Sequence, residues 1–146
     1  MSHSSLKLGK IIPEKYRVMI LDNNKDIAEL IGMHLEKMNH TNYELSFSVT
    51  DSLDKIETKE YDLLLLDWSL DDGTCFDLID KIRSMNKSLH PRTTSALIVV
   101  VTGKDTQTDK KKLERYQIKE HFIKPFVYEE FEKNIKAAIM KHSRTQ

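Results

Sequence analysis

Cysteine, glycine, proline and tryptophan are all scarce in this chain, and each scarcity excludes something. A single cysteine, Cys75, cannot close an internal disulfide or hold zinc by itself, which fits a reducing cytosol. With only four glycines there is no G-x-G-x-x-G and no G-K-[ST] loop to cradle a nucleotide's phosphates; the first turn reads DNNKD instead. No stretch approaches the roughly 18–20 apolar residues of a membrane span, and MSHSSLKLGKII has no apolar core long enough for a signal peptide. An excess of one charge is also lacking: Lys plus Arg and Asp plus Glu both number 23. That balance argues against bulk electrostatic attachment to nucleic acid or an anionic membrane. The expectation is a cytoplasmic domain with no direct nucleic-acid or membrane partner, and 146 residues suit a single core.

What is present is an alternation of two kinds of segment. Short apolar runs stand at RVMIL (17–21), YELSFSV (43–49), YDLLLL (61–66), SALIVVV (95–101) and IKEHFI (118–123). Between them, apolar residues recur at helical spacing: Ile27, Leu30, Ile31, His34, Leu35 and Met38; Leu53 and Ile56; Phe76, Ile79, Ile82 and Met85. After the fifth run come Val127, Phe131, Ile135, Ala138 and Ile139. The segment after the fourth run offers only Leu113 and Tyr116 as anchors, so its helix is expected to be the loosest and most mobile. Five strand–helix units imply a doubly wound α/β domain, a parallel sheet with helices on both faces. LLLL and LIVVV suit central strands covered on both sides, and the alternating YELSFSV suits an edge. The expected boundaries are a flexible tail over 1–15, the domain over 16–142 and a short tail over 143–146.

In such a fold, function sits outside the carboxyl ends of the strands. There the chain places Asp22-Asn23 after the first run, Asp67 after the third, Thr102 after the fourth and Lys124-Pro125 after the fifth. Each residue alone is an ordinary turn or cap. Together they suit phosphoryl transfer to a carboxylate. Asp22 and Asp67 can bind a hard divalent cation through oxygen, Mg2+ or Mn2+, and Asp67 can attack phosphorus. Lys124 then offers a compact positive charge and Thr102 a hydroxyl donor to the phosphoryl oxygens.

The motifs ILDNN, DLLLLDWSLDDG, VVVTG and FIKPF, in this order on a five-unit frame, resemble the receiver domains of two-component response regulators across residues 17 to about 141. The resemblance implies the flavodoxin-like (βα)5 fold with strand order 2-1-3-4-5. It implies Asp67 as phosphoacceptor, Asp22 and the Ser69 backbone carbonyl as metal ligands, Thr102 as switch hydroxyl and Lys124 as phosphate-binding lysine. It also implies a cis bond before Pro125, a histidine kinase or phosphotransfer protein as donor, and output to a protein through the face of helix four, strand five and helix five. The chain then acts as a signalling switch, with self-catalysed phosphotransfer and autodephosphorylation its only chemistry. A single-domain regulator, monomeric or weakly dimeric, is expected.

Departures from the family pattern are informative. Asn23 stands where a second acid is usual, so it can serve the cation only weakly or through a water, and Mg2+ affinity is expected to be lowered. Asp71 stands where proline is common, and either Asp71 or its neighbour Asp72 could restore negative charge. Cys75 replaces a common glycine and is expected to start a helix and pack. His121 replaces the aromatic switch residue three positions before Lys124, giving either an exposed histidine on an outer strand or a polar switch sensitive to pH. Lys110-Lys111-Lys112 reads as a solvated face or a docking patch. Ser69 and Lys104 flank the expected path of attacking water.

Two other readings compete. A degenerate receiver would keep the fold as a phosphorylation-independent interaction module, although Asp67, Thr102 and Lys124 are all retained. A phosphatase of the haloacid dehalogenase type would want a second aspartate two residues after the nucleophile, where this chain has Ser69.

Overall fold

The computed structural model describes residues 11–103 and 107–145, the side chains of 107 and 108 excepted. Lys104 lies outside the described residues, as does most of the expected N-terminal tail. Five parallel strands, β1 (Val18–Leu21), β2 (Tyr43–Ser46), β3 (Leu63–Asp67), β4 (Leu97–Thr102) and β5 (Glu120–Ile123), pair in the order β2-β1-β3-β4-β5. The helices are α1 (Lys25–Lys37), α2 (Val49–Thr58), α3 (Cys75–Ser84), α4 (Gln107–Arg115) and α5 (Tyr128–Thr145). This is the expected doubly wound order, with β2 on one edge. Among the described residues no helix is long and apolar enough to cross a membrane.

The pairing register explains the leucine run. Leu65 sits between Ile20 of β1 and Val99 of β4. Successive side chains of a strand point to opposite faces. Leu63 and Leu65 therefore enter one core with Ile31 and Leu35 of α1 and Phe131 and Ile135 of α5. Leu64 and Leu66 enter a second with Ile56 of α2 and Leu78, Ile79 and Ile82 of α3. Burying each such side chain stabilises the fold by about 1.5–3 kcal/mol, so a strand shared by two cores has no polar position to spare.

Local signals start the helices where the sheet needs them. The Asn24 side chain caps α1 by accepting from Ile27 N, and Ser48 caps α2 by accepting from Asp51 N. Thr74 and Asp77 form a reciprocal capping box at α3. Gly73, just before it, has φ +152°, and a Cβ there would lie 2.4 Å from the capping carboxylate of Asp77. Only glycine fits that turn.

Several expectations shift. Val49 is the first residue of α2, because Ser48 caps the helix and ends the extended chain. Leu30 is 46% exposed, lying off the buried stripe of Ala28, Ile31 and Leu35, and Val127, before the first turn of α5, is 58% exposed. Ile12 is 2% exposed within the α1/α5 core, so packed chain begins ahead of residue 16. At the other end α5 continues through Thr145, past 142. The bond before Pro125 is cis. Around α4, Leu113 is buried and Tyr116 rests on Phe76, the two anchors the pattern offered.

Candidate functional site

Four strands carry their chemistry to one edge. Asp22 follows β1 directly, held by its N–H to Ser46 O of β2. Asp67 ends β3 opposite Val101, and Thr102 ends β4. Lys124 follows β5, its N–H donating to Thr102 O at 2.7 Å. The Lys124 ammonium lies 3.2 Å from Asp22 Oδ2 and 3.2 Å from Asp67 Oδ1, bridging the two acids. Asp22 and Asp67 are only 1% and 8% exposed. Two buried carboxylates facing one ammonium leave the edge net negative. Burial and then the charge of Asp22 push the Asp67 carboxyl above its usual range, with Lys124 pulling the other way. Carboxylates in that position favour a further cation.

The donor set suits a hard one. Among the described residues no three or more His, Cys, Asp or Glu side chains are grouped to hold a metal. A cation at this edge would share the two carboxylates with neutral oxygens and water, a pattern that fits Mg2+ better than a softer metal. Ser69 is exposed and pairs with Thr74 in a two-residue antiparallel ladder just after Asp67. Asn23 is exposed beside Asp22, and its Nδ2 donates to Asp71 Oδ1 at 3.1 Å.

The structure separates the two loop acids that sequence reasoning treated alike. Asp72 accepts from Val49 N, Thr50 N and Thr50 Oγ1, capping α2, and these bonds hold its carboxyl down at about 2. Asp71 alone reaches back to the β1 turn. Cys75 is the first residue of α3 and fully buried, and burial pushes its thiol up to about 12, so it is inert packing. His121 lies in the middle of β5 opposite Val100 and is half-buried. Its Nε2 is enclosed with no hydrogen-bond partner among the described residues, so it is not the exposed outer-strand histidine of the simpler expectation.

One connection was not read from the sequence. Trp68, next to Asp67, meets Phe76 of α3 edge-on at 4.9 Å, and Phe76 packs on Tyr116 at 4.5 Å. Lys112 of α4 stands 4.8 Å above the same Phe76 ring. A column of aromatic rings thus joins the loop after Asp67 to the end of α4. Phe76 stands on a helical stripe and Tyr116 is an anchor of a later segment, and helical spacing carries no signal that they meet.

The family model for the response regulator receiver domain matches residues 18–136. Among curated proteins, Regulatory protein VanR of Enterococcus faecium is 27% identical over 88% of this chain and 52% of its own length. Response regulator ArlR of Staphylococcus aureus (strain Mu50 / ATCC 700699) is 26% identical over 86% of this chain and 53% of its own. The chain spans about half the length of these relatives. A CheY-like receiver domain from Methanospirillum hungatei JF-1 superposes with a TM-score of 0.74 at 21% identity, covering 90% of this chain and 98% of that one. A two-component response regulator from Clostridium difficile gives 0.73 at 24%, covering 87% and 98%. These two likenesses establish the fold. With the family match covering most of its length, the chain belongs to the response regulator receiver domains of two-component signalling.

Proposed function

We propose that this receiver is a phosphorylation switch that accepts a phosphoryl group on Asp67 from a histidine kinase or phosphotransfer protein. The observation that carries the reading is the Lys124 ammonium set between two buried carboxylates at the carboxyl edge of the sheet. An Asp67 carboxylate oxygen attacks phosphorus, the P–N bond of a phosphohistidine breaks, and its electron pair leaves on the imidazole nitrogen. Lys124 follows the developing charge onto the phosphoryl oxygens, and the Thr102 hydroxyl supplies a donor from the neighbouring strand. Asp22, Asp67, the Ser69 carbonyl and Asn23 through a water would hold Mg2+ or Mn2+, which offsets repulsion between carboxylate and phosphate. Thr102 and His121 serve as the switch pair.

The signal then passes by protein contact through the face of α4, β5 and α5, where Ile123 is 45% exposed and Lys110 and Lys111 face solvent. A cytoplasmic, monomeric or weakly dimeric protein goes with this role. The degenerate-module alternative is not favoured, because the whole Asp22, Asp67, Thr102 and Lys124 set is carried to one edge.

Trp68 supplies the test. Its fluorescence is followed while Mg2+ and then beryllofluoride or acetyl phosphate are added to wild type and Asp67→Ala. The expected result is a saturable response to metal and a second change that requires Asp67. Mass spectrometry after acetyl phosphate should find one added phosphoryl group in wild type only. A folded protein that answers neither metal nor phosphoryl analogue overturns the reading.

A further inference from the structure

Asp71 and Asp72 are consecutive acids, and the fold gives them separate tasks. Asp72 is committed to the N-terminus of α2 by three hydrogen bonds of 2.8–2.9 Å. Asp71 accepts from Asn23 Nδ2 at 3.1 Å, across 48 residues of sequence. A carboxylate has acceptors only, so the end of the Asn23 amide that faces it must be the nitrogen, and the amide oxygen takes no part in that bond. Both ends of this bond are anchored. Asn24, next to Asn23, caps α1 and donates its own N–H to Asp22 Oδ1 at 2.9 Å. Asp72, next to Asp71, ties its loop to α2.

Resting on the reading of this edge as a metal-assisted phosphoacceptor site, we propose that Asp71 is a positioning residue for the metal. It grips the Asn23 amide by its nitrogen and leaves the oxygen as the end that accepts from a water of the cation's shell. A neutral amide without that grip presents its NH2 group toward the ion in part of its rotamers, and that orientation repels a cation. Asp71 removes those rotamers. The asparagine in place of an acid thus works as half of a two-residue ligand, and Asp71 acts through it.

The test is a double-mutant cycle read by metal binding alone. Mg2+ is titrated against Trp68 fluorescence, and Mn2+ by electron paramagnetic resonance, in wild type, Asp71→Ala, Asn23→Ala and the double variant. Circular dichroism checks that each is folded. Asp71→Ala is expected to weaken metal binding by roughly threefold to tenfold in the wild-type background, the net scale of one ordinary hydrogen bond, since the Asn23–Asp71 pair is exposed. In the Asn23→Ala background its effect should fall below about twofold. An unchanged Kd in Asp71→Ala overturns the assignment. So does equal weakening in both backgrounds, which would make Asp71 an independent charge. Failure of the parent reading shows elsewhere: wild type would give no saturable metal response, or Asp67→Ala would bind as tightly, and the role of Asp71 would fall with it.

Discussion

Asp67 is where function and stability oppose each other most directly. Its carboxyl is buried beside Asp22, and its titration lies above the usual carboxylate range. A folded-state value above the unfolded one means that the ionised carboxylate opposes folding. That cost is fully present above the folded value and fades as pH falls through it. Without metal at pH 7, Asp67→Asn is expected to be more stable than wild type, because the variant carries no buried charge beside Asp22. The advantage should shrink as the medium is acidified through the Asp67 titration. Urea unfolding at pH 7 and pH 4 measures both, and a variant less stable than wild type at pH 7 would contradict the burial argument. Mg2+ at ten times its Kd should stabilise wild type by about 1.4 kcal/mol and Asp67→Asn far less. Sequence alone named Asp22, Asp67, Thr102 and Lys124 because all four stand at strand ends that a doubly wound order carries to one edge. It did not reveal that Asp71 meets Asn23, because a contact across two loops has no period and no fixed spacing.

At the scale of elements, the contact between α1 and α5 holds a titrating group. His34 of α1 packs among Phe126, Tyr128 and Phe131, with ring centroids 6.2, 5.7 and 5.3 Å away. Its Nε2 is enclosed with no partner among the described residues. Burial, and then Lys37 on the same helix, lower its pKa from the ordinary 6.5, while Glu129 of α5 pulls the other way. A base with a depressed folded value contributes no penalty at high pH. The penalty grows as pH falls through 6.5, where the unfolded chain takes up the proton first, and it levels off below the folded value. Unfolding free energies across pH 7.5 to 5 should therefore fall more steeply for wild type than for His34→Phe; equal slopes would remove His34 from the account. The helical period had marked His34 as a face residue of α1. The aromatic wall around it belongs to a segment about ninety positions later in the chain, which no window over α1 could include. The anchors beside α4 were legible for the converse reason: its polar run offers few apolar residues, and Leu113 and Tyr116 are the ones in use.

Across the whole molecule, β3 is the shared wall of two cores, and Leu65 sits at its centre with no solvent contact beyond 1%. Leu65→Ala should cost about 2–5 kcal/mol, the range for a core leucine whose surroundings relax only in part. The lost contacts join β1, β4, α1 and α5 rather than one local unit. Urea unfolding should therefore stay a single transition with an unchanged slope and a lower midpoint. Two separated transitions would show that the α1/α5 layer unfolds independently of the α2/α3 layer.

The doubly wound class was set by the sequence alone, because strand and helix periods differ and because parallel strands buried on both faces admit few polar residues. The four strand-end residues followed from that class, since the carboxyl edge of such a sheet is where side chains escape the core. Tertiary structure decided the rest. It made Lys124 a bridge between Asp22 and Asp67, gave Asp72 to a helix cap and Asp71 to Asn23, and joined Trp68 to Tyr116 through Phe76. Each of these depends on the direction of side chains brought together from distant segments, and direction is fixed only once both partners are packed.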